Sequence, residues 1–259
     1  MMDKRRTLCI AAVFPAVLLL TAATGSAQSF VAPPESLPGG LSYQQWSAKW
    51  WQWVWSTPHS INPLFDTTGI DCAVNQSKTG PVWFLAGTSG TDATRYCTVP
   101  AGRMIFFPII NLGNDYPCLD LSLTPPRQRR DPNFQPGPGE SLEQFLTIGY
   151  GPYYGARQYI DHVTALSATL DGTPIGGLDL PPENSKYRAT SPMFEFDGDR
   201  SLQVWDSCVG PGHHGVSDGY WIMLKPLSPG LHTLTFSGTE TYPSSSPFTV
   251  TVTYNLTIG

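Results

Sequence analysis

The sequence predicts a mainly β protein: an antiparallel β-sandwich, jelly-roll or immunoglobulin-like, with a Trp-rich N-terminal helix and one further short helix. Three observations carry this. From Phe248 to Ile258 apolar and polar residues alternate without a slip, and only a period of two gathers all the apolar groups on one side. Residues 218–238 read as a strand, a Ser228-Pro229-Gly230 turn and a returning strand, bounded by glycines. The 25 Gly and 25 Pro, set against 14% charged residues, suit short strands joined by many turns.

The chain opens with Lys4, Arg5 and Arg6, then an apolar run over 8–20, then Gly25-Ser26-Ala27. This pattern predicts a secretory signal peptide over residues 1–27. The apolar run is short for a bilayer span, which takes about 20 residues, so no membrane span is expected. The expected location is secreted or periplasmic. The net charge of −5 becomes about −7 without the leader, and an acidic chain argues against nucleic acid as a partner. Four cysteines remain, Cys72, Cys97, Cys118 and Cys208. An even number in an exported chain predicts disulfides. Three pairings are open, and Cys72–Cys97 with Cys118–Cys208 is favoured.

Residues 28–60 are expected to hold a flexible Pro/Gly lead-in and the Trp-rich helix. Residues 61–259 are expected to form the sandwich, with an exposed Pro-rich loop at 124–139. Ser42 with Gln45 makes a capping box, and Pro58 stops the helix. Tyr43, Trp46, Trp50, Trp53 and Val54 share one helical face, while Trp51 and Trp55 form a narrower second row. That second row either packs on the sheet or, with Tyr153 and Tyr154, offers an aromatic platform to sugar rings or another flat ligand. Strands are expected over 81–87, 95–99 and 103–110, with a bulge or an end at Pro108. The second helix starts at Ser141, again with a Gln three residues on. A strand over 163–170 meets the hairpin signal Asp171-Gly172. Short strands are expected over 193–196 and 202–205.

Candidate chemistry centres on acids and histidines. His213 and His214 lie in a glycine-rich stretch that reads as a loop, and a loop can turn both rings toward one transition-metal ion. Asp197 and Asp199 begin like a calcium loop, but Leu202 and Cys208 stand where an EF-hand needs Gly and Glu. A simpler calcium site remains open there, or at Asn111, Asn114 and Asp115. Glu195 and Asp115, with His213 and His214, are the candidate catalytic groups for a hydrolase or lyase. Gly215-Val216-Ser217-Asp218-Gly219 matches a nucleophile-elbow spacing, but a strand rather than a helix follows it.

Trp50-Trp51-x-Trp53, the run 80–87, Phe107-Pro108-Ile109-Ile110-Asn111 and Asp218-Gly219-Tyr220-Trp221 resemble a group of uncharacterised secreted bacterial proteins. That resemblance implies export and a shared β-sandwich-like fold, and no activity. The function expected is a secreted, non-catalytic binding protein for carbohydrate or another extracellular polymer or small molecule. The alternative is an extracellular hydrolase or lyase.

Overall fold

The computed structural model describes residues 29–120, 127–128, 134–150, 153–178, 181–206, 208–243 and 245–259. The expected signal peptide and most of the Pro-rich loop lie outside the described residues, as does the side chain of Tyr153. Among the described residues the order is α1 (Tyr43–Trp55), β1 (Val82–Phe84), β2 (Ala93–Val99), β3 (Met104–Tyr116), β4 (Leu119–Asp120), β5 (Arg127–Gln128), α2 (Leu142–Ile148), β6 (Gly149–Tyr150), β7 (Tyr153–Tyr154), α3 (Ala156–Ile160), β8 (Val163–Leu170), β9 (Thr173–Pro174), β10 (Arg188–Thr190), β11 (Phe194–Phe196), β12 (His213–Leu224), β13 (Gly230–Glu240) and β14 (Phe248–Ile258).

Two five-stranded sheets form the body. The first runs β1-β3-β12-β10, with β11 also on β12, and the second runs β2-β14-β13-β8-β9. They meet where Phe107 packs on Phe236, ring centres 4.8 Å apart. The pairing is mixed rather than purely antiparallel, since β1 runs parallel to β3 and β2 parallel to β14. Cys72 is bonded to Cys97 and Cys118 to Cys208. Among the described residues no helix is long and apolar enough to cross a membrane.

Residues 218–238 do not form a hairpin. β12 lies in the first sheet and β13 in the second, so the Ser228-Pro229-Gly230 segment carries the chain between sheets. The cause is burial: nearly every residue of β12 is buried, so it takes a central place in one sheet while β13 pairs with β14 along its length. The expected strand at 202–205 is instead part of a 3-10 helix, Arg200–Val204, which Asp199 caps through the Ser201 amide. The lead-in is anchored rather than flexible. Val31 and Ala32 are buried, and the Ala32 amide donates to the Met223 carbonyl at 2.8 Å. Pro108 sits beyond the end of β1, next to a bulge against β12.

Helix α1 begins with the expected capping box, Ser42 and Gln45 each bonding the other's backbone amide. Three of its indoles anchor three separate segments: Trp46 donates to the Pro38 carbonyl, Trp50 to Leu85 and Trp53 to Val74, at 2.7–2.9 Å. The remaining two rings need flat ground. Gly113 on β3 pairs with Ser217, and Gly215 on β12 pairs with Asp115, so both glycines face α1. A Cβ on Gly113 would stand 2.8 Å from the Trp51 ring and 2.9 Å from Trp55, and one on Gly215 would stand 2.7 Å from Trp55. The glycines are there to admit the tryptophans. Gly113→Ala is therefore expected to lower stability by about 1–3 kcal/mol through overpacking, read as a fall in the urea midpoint. An unchanged midpoint would mean that the rings do not rest on this glycine.

Candidate functional site

A cleft of about 480 Å³ opens between the sheets at one edge. It exists because β1 is short. β1 covers β3 only from Met104 to Phe106, so among the described residues the outer edge of β3 from Phe107 onward has no neighbouring strand. Pro108 to Leu112 form one wall, and the inward residues of β13 and β14 form the other. Gly238 lets the walls approach closely, since a Cβ there would stand 2.8 Å from Ile110 Cβ. One lip, the segment through Gly87, is held by Arg95. This guanidinium is 1% exposed and donates to the Ala86 and Gly87 carbonyls and to the Tyr254 hydroxyl at 2.7–2.8 Å.

Aromatic rings rim the opening. Trp205 and Phe248 line it and are 40% and 44% exposed. Tyr159 and Tyr242 also line it, with ring centres 5.9 Å apart. The same two tyrosines belong to an adjoining open shelf with Tyr154, Gln158, His162 and Pro243. Tyr154, 60% exposed, lies 5.7 Å from Tyr159, and His162 lies 4.7 Å from Tyr242. Tyr159 is carried by α3, whose Ala156 and Ile160 are buried. The end of α3 is fixed by Arg188, which bridges Asp161 at 2.7 Å and the fully buried Asp218 at 2.6 Å. The Thr241 amide donates to the His162 carbonyl, which sets Tyr242 beside α3.

Glu240 is the one carboxylate among the lining residues of the cleft. Burial pushes its carboxyl above the usual range, against the opposing pull of a 3.4 Å hydrogen bond from the Tyr242 hydroxyl and the charge of His162. Burial, and then the Glu240 charge, push the Tyr242 phenol upward in turn. On the same walls the Trp51 indole Nε1 and the Asn111 amide Nδ2 are covered and make no hydrogen bond among the described residues. Each such donor carries a desolvation cost of about 1–3 kcal/mol.

The residues singled out from sequence are distributed differently from the expectation. Trp51 and Trp55 are 5% and 0% exposed, so they form no platform. Trp55 stacks on Phe196 at 4.4 Å, and only the Trp51 wall reaches the cleft. Tyr154 is exposed on the shelf. His213 and His214 are consecutive residues of a strand, not of a loop, and point to opposite faces of β12. His213 Nδ1 pairs with Asp115 at 3.0 Å, both buried. His214 meets Glu195 at 3.5 Å on the other face, beside Asp197 in a shallow depression. These four groups therefore do not converge on one ion or one substrate. Asp197 accepts from the Gly212 amide and Asp199 from the Ser201 amide, so both acids have backbone partners. Asn114 donates to the Leu146 and Tyr154 carbonyls. Asp115, Asp206 and Cys208 bring ligand-type atoms within 4.8 Å of one another, but Cys208 is in a disulfide and offers no thiolate.

Sequence reasoning missed Glu240, Tyr242, Tyr159, Trp205 and Phe248. One signal was present. Leu234, Phe236 and Gly238 occupy the inward parity of β13, and Glu240 follows on the same parity, an acid where the alternation calls for an apolar residue. No protein-family model, curated protein or solved structure matches this chain.

The raised carboxyl gives a stability test. A folded value above the unfolded one means that ionising Glu240 opposes folding. The cost is absent below the unfolded value of about 4.3 and fully present above the folded one. Glu240→Gln is therefore expected to stabilise the chain at pH 7, by less than about 1 kcal/mol because the group is partly solvated, and to make no difference below about pH 4. Thermal melts at the two pH values check this, and a destabilised variant at pH 7 would contradict it.

Proposed function

We propose that this is an exported, non-catalytic binding protein that takes a sugar ring of an extracellular polymer into the cleft between the sheets. The observation that carries the reading is the set of aromatic rings around an apolar cleft with a carboxylate in its wall: Trp205 and Phe248, which are exposed, and Tyr159 and Tyr242, which are half-buried. Sugar rings present C–H faces that pack on aromatic faces and hydroxyls that seek donors and acceptors. Glu240 is an acceptor in the cleft wall. The volume lies within the range of about 300–1,000 Å³ typical of ligand pockets. The adjoining tyrosine shelf supports an extended ligand rather than a single ring. Two disulfides suit an oxidising compartment, in keeping with the basic and apolar N-terminal leader. The hydrolase or lyase reading places acids with His213 or His214 in a loop-built site; here Asp115–His213 is a buried pair on one face of β12 and Glu195–His214 a pair on the other.

Isothermal titration of the purified chain with soluble oligosaccharides tests the proposal. Trp205→Ala and Tyr242→Ala are each expected to weaken binding about tenfold, near 1.4 kcal/mol. Tyr96→Ala, which removes an exposed ring from β2 outside the cleft, is expected to leave affinity unchanged. Absence of binding to every oligosaccharide, or affinity indifferent to the two cleft substitutions, would contradict it.

A further inference from the structure

We infer that the ligand of this cleft carries a positively charged nitrogen seated against Glu240, which makes it an amino-sugar polymer rather than a neutral one; this rests on the carbohydrate reading above. The first argument is charge. The lining residues include the Glu240 carboxylate but no lysine and no arginine. Among the described residues no basic side chain forms a salt bridge with Glu240, whose hydrogen-bond partner is the Tyr242 hydroxyl. His162, on the shelf against the Tyr242 ring, opposes the upward push of burial on the Glu240 carboxyl. Tyr159 is the other titratable group on this wall. A carboxylate drawn partly out of water gains most from an ionised donor, whose hydrogen bonds are roughly twice as strong as neutral ones.

The second argument is the rings. Tyr159, Tyr242, Trp205 and Phe248 line the same cleft, and aromatic faces attract an ammonium group within about 6 Å of the ring centre. A neutral or N-acetylated sugar has the same ring faces but none of this charge. The third argument is long-range. The chain carries a net charge of −5, so its field draws in a polycation and repels an acidic polysaccharide.

The test is calorimetric titration of the full chain at pH 6 in low salt with three probes: a glucosamine trimer, an N-acetylglucosamine trimer and benzyltrimethylammonium. The glucosamine trimer is expected to bind at least tenfold more tightly than its acetylated counterpart. Glu240→Gln, with its fold checked by circular dichroism, is expected to abolish that difference. A smaller ratio, or one that survives Glu240→Gln, overturns the charge assignment while leaving the carbohydrate reading intact. Binding of benzyltrimethylammonium that depends on Glu240, with neither trimer bound, keeps the cation site and overturns the amino-sugar assignment. No binding of any probe overturns the charge assignment, and the oligosaccharide titrations above decide the carbohydrate reading separately.

Discussion

The seating of the α1 tryptophans on a glycine-lined face of the first sheet is the interaction on which the rest of this molecule depends. A fully buried tryptophan is worth about 3–5 kcal/mol against alanine, and Trp50, Trp55 and Trp221 are 0% exposed. Trp50 packs edge-on against Trp221 at 5.5 Å, and Trp221 stacks on Phe106 at 5.2 Å. The helix also clamps the chain at Pro38, Val74 and Leu85 through its indole donors. These segments have little regular structure of their own. The helix is thus a keystone that orders the connections around it.

That arrangement also creates the opening. With α1, α2 and α3 packed on β12, that strand is buried on both sides. β3, by contrast, is flanked by β1 for only three residues. An uncovered strand edge is ordinarily a hazard for aggregation. Here the edge is enclosed by aromatic side chains from four other parts of the chain, which turns a liability into a concave surface. The groups that shape it are held from outside. Asp218 and Asp161 fix Arg188 and with it α3, and Arg95 fixes the Gly87 lip.

What was legible in the sequence was local. The period of two in β14 and the capping boxes of α1 and α2 depend on neighbours along the chain. So does the Asp171-Gly172 turn, whose two residues take φ of 50° and 75°. What was not legible depended on partners far away. Glycines 210, 212 and 215 read as a loop, yet Gly215 is a strand residue kept small by a ring 160 positions earlier. That misreading put His213 and His214 on one loop instead of on two faces of a strand. The partner of β13 likewise could not be inferred from the turn before it, because the burial of β12 on both faces decides the sheet assignment. Glu240 is the intermediate case. Its parity was readable, but its significance appears only when the Phe248 and Tyr242 rings stand beside it.

The most direct test of this account is a nuclear magnetic resonance titration that follows the indole N–H signals of the eight tryptophans as a glucosamine oligomer is added. Trp51 and Trp205, on the cleft walls, are predicted to shift in a saturable way, while Trp50, Trp55 and Trp221, sealed beneath α1, stay fixed. Saturable shifts at Trp50 or Trp55 without movement at Trp205, or no shift at any indole, would contradict it.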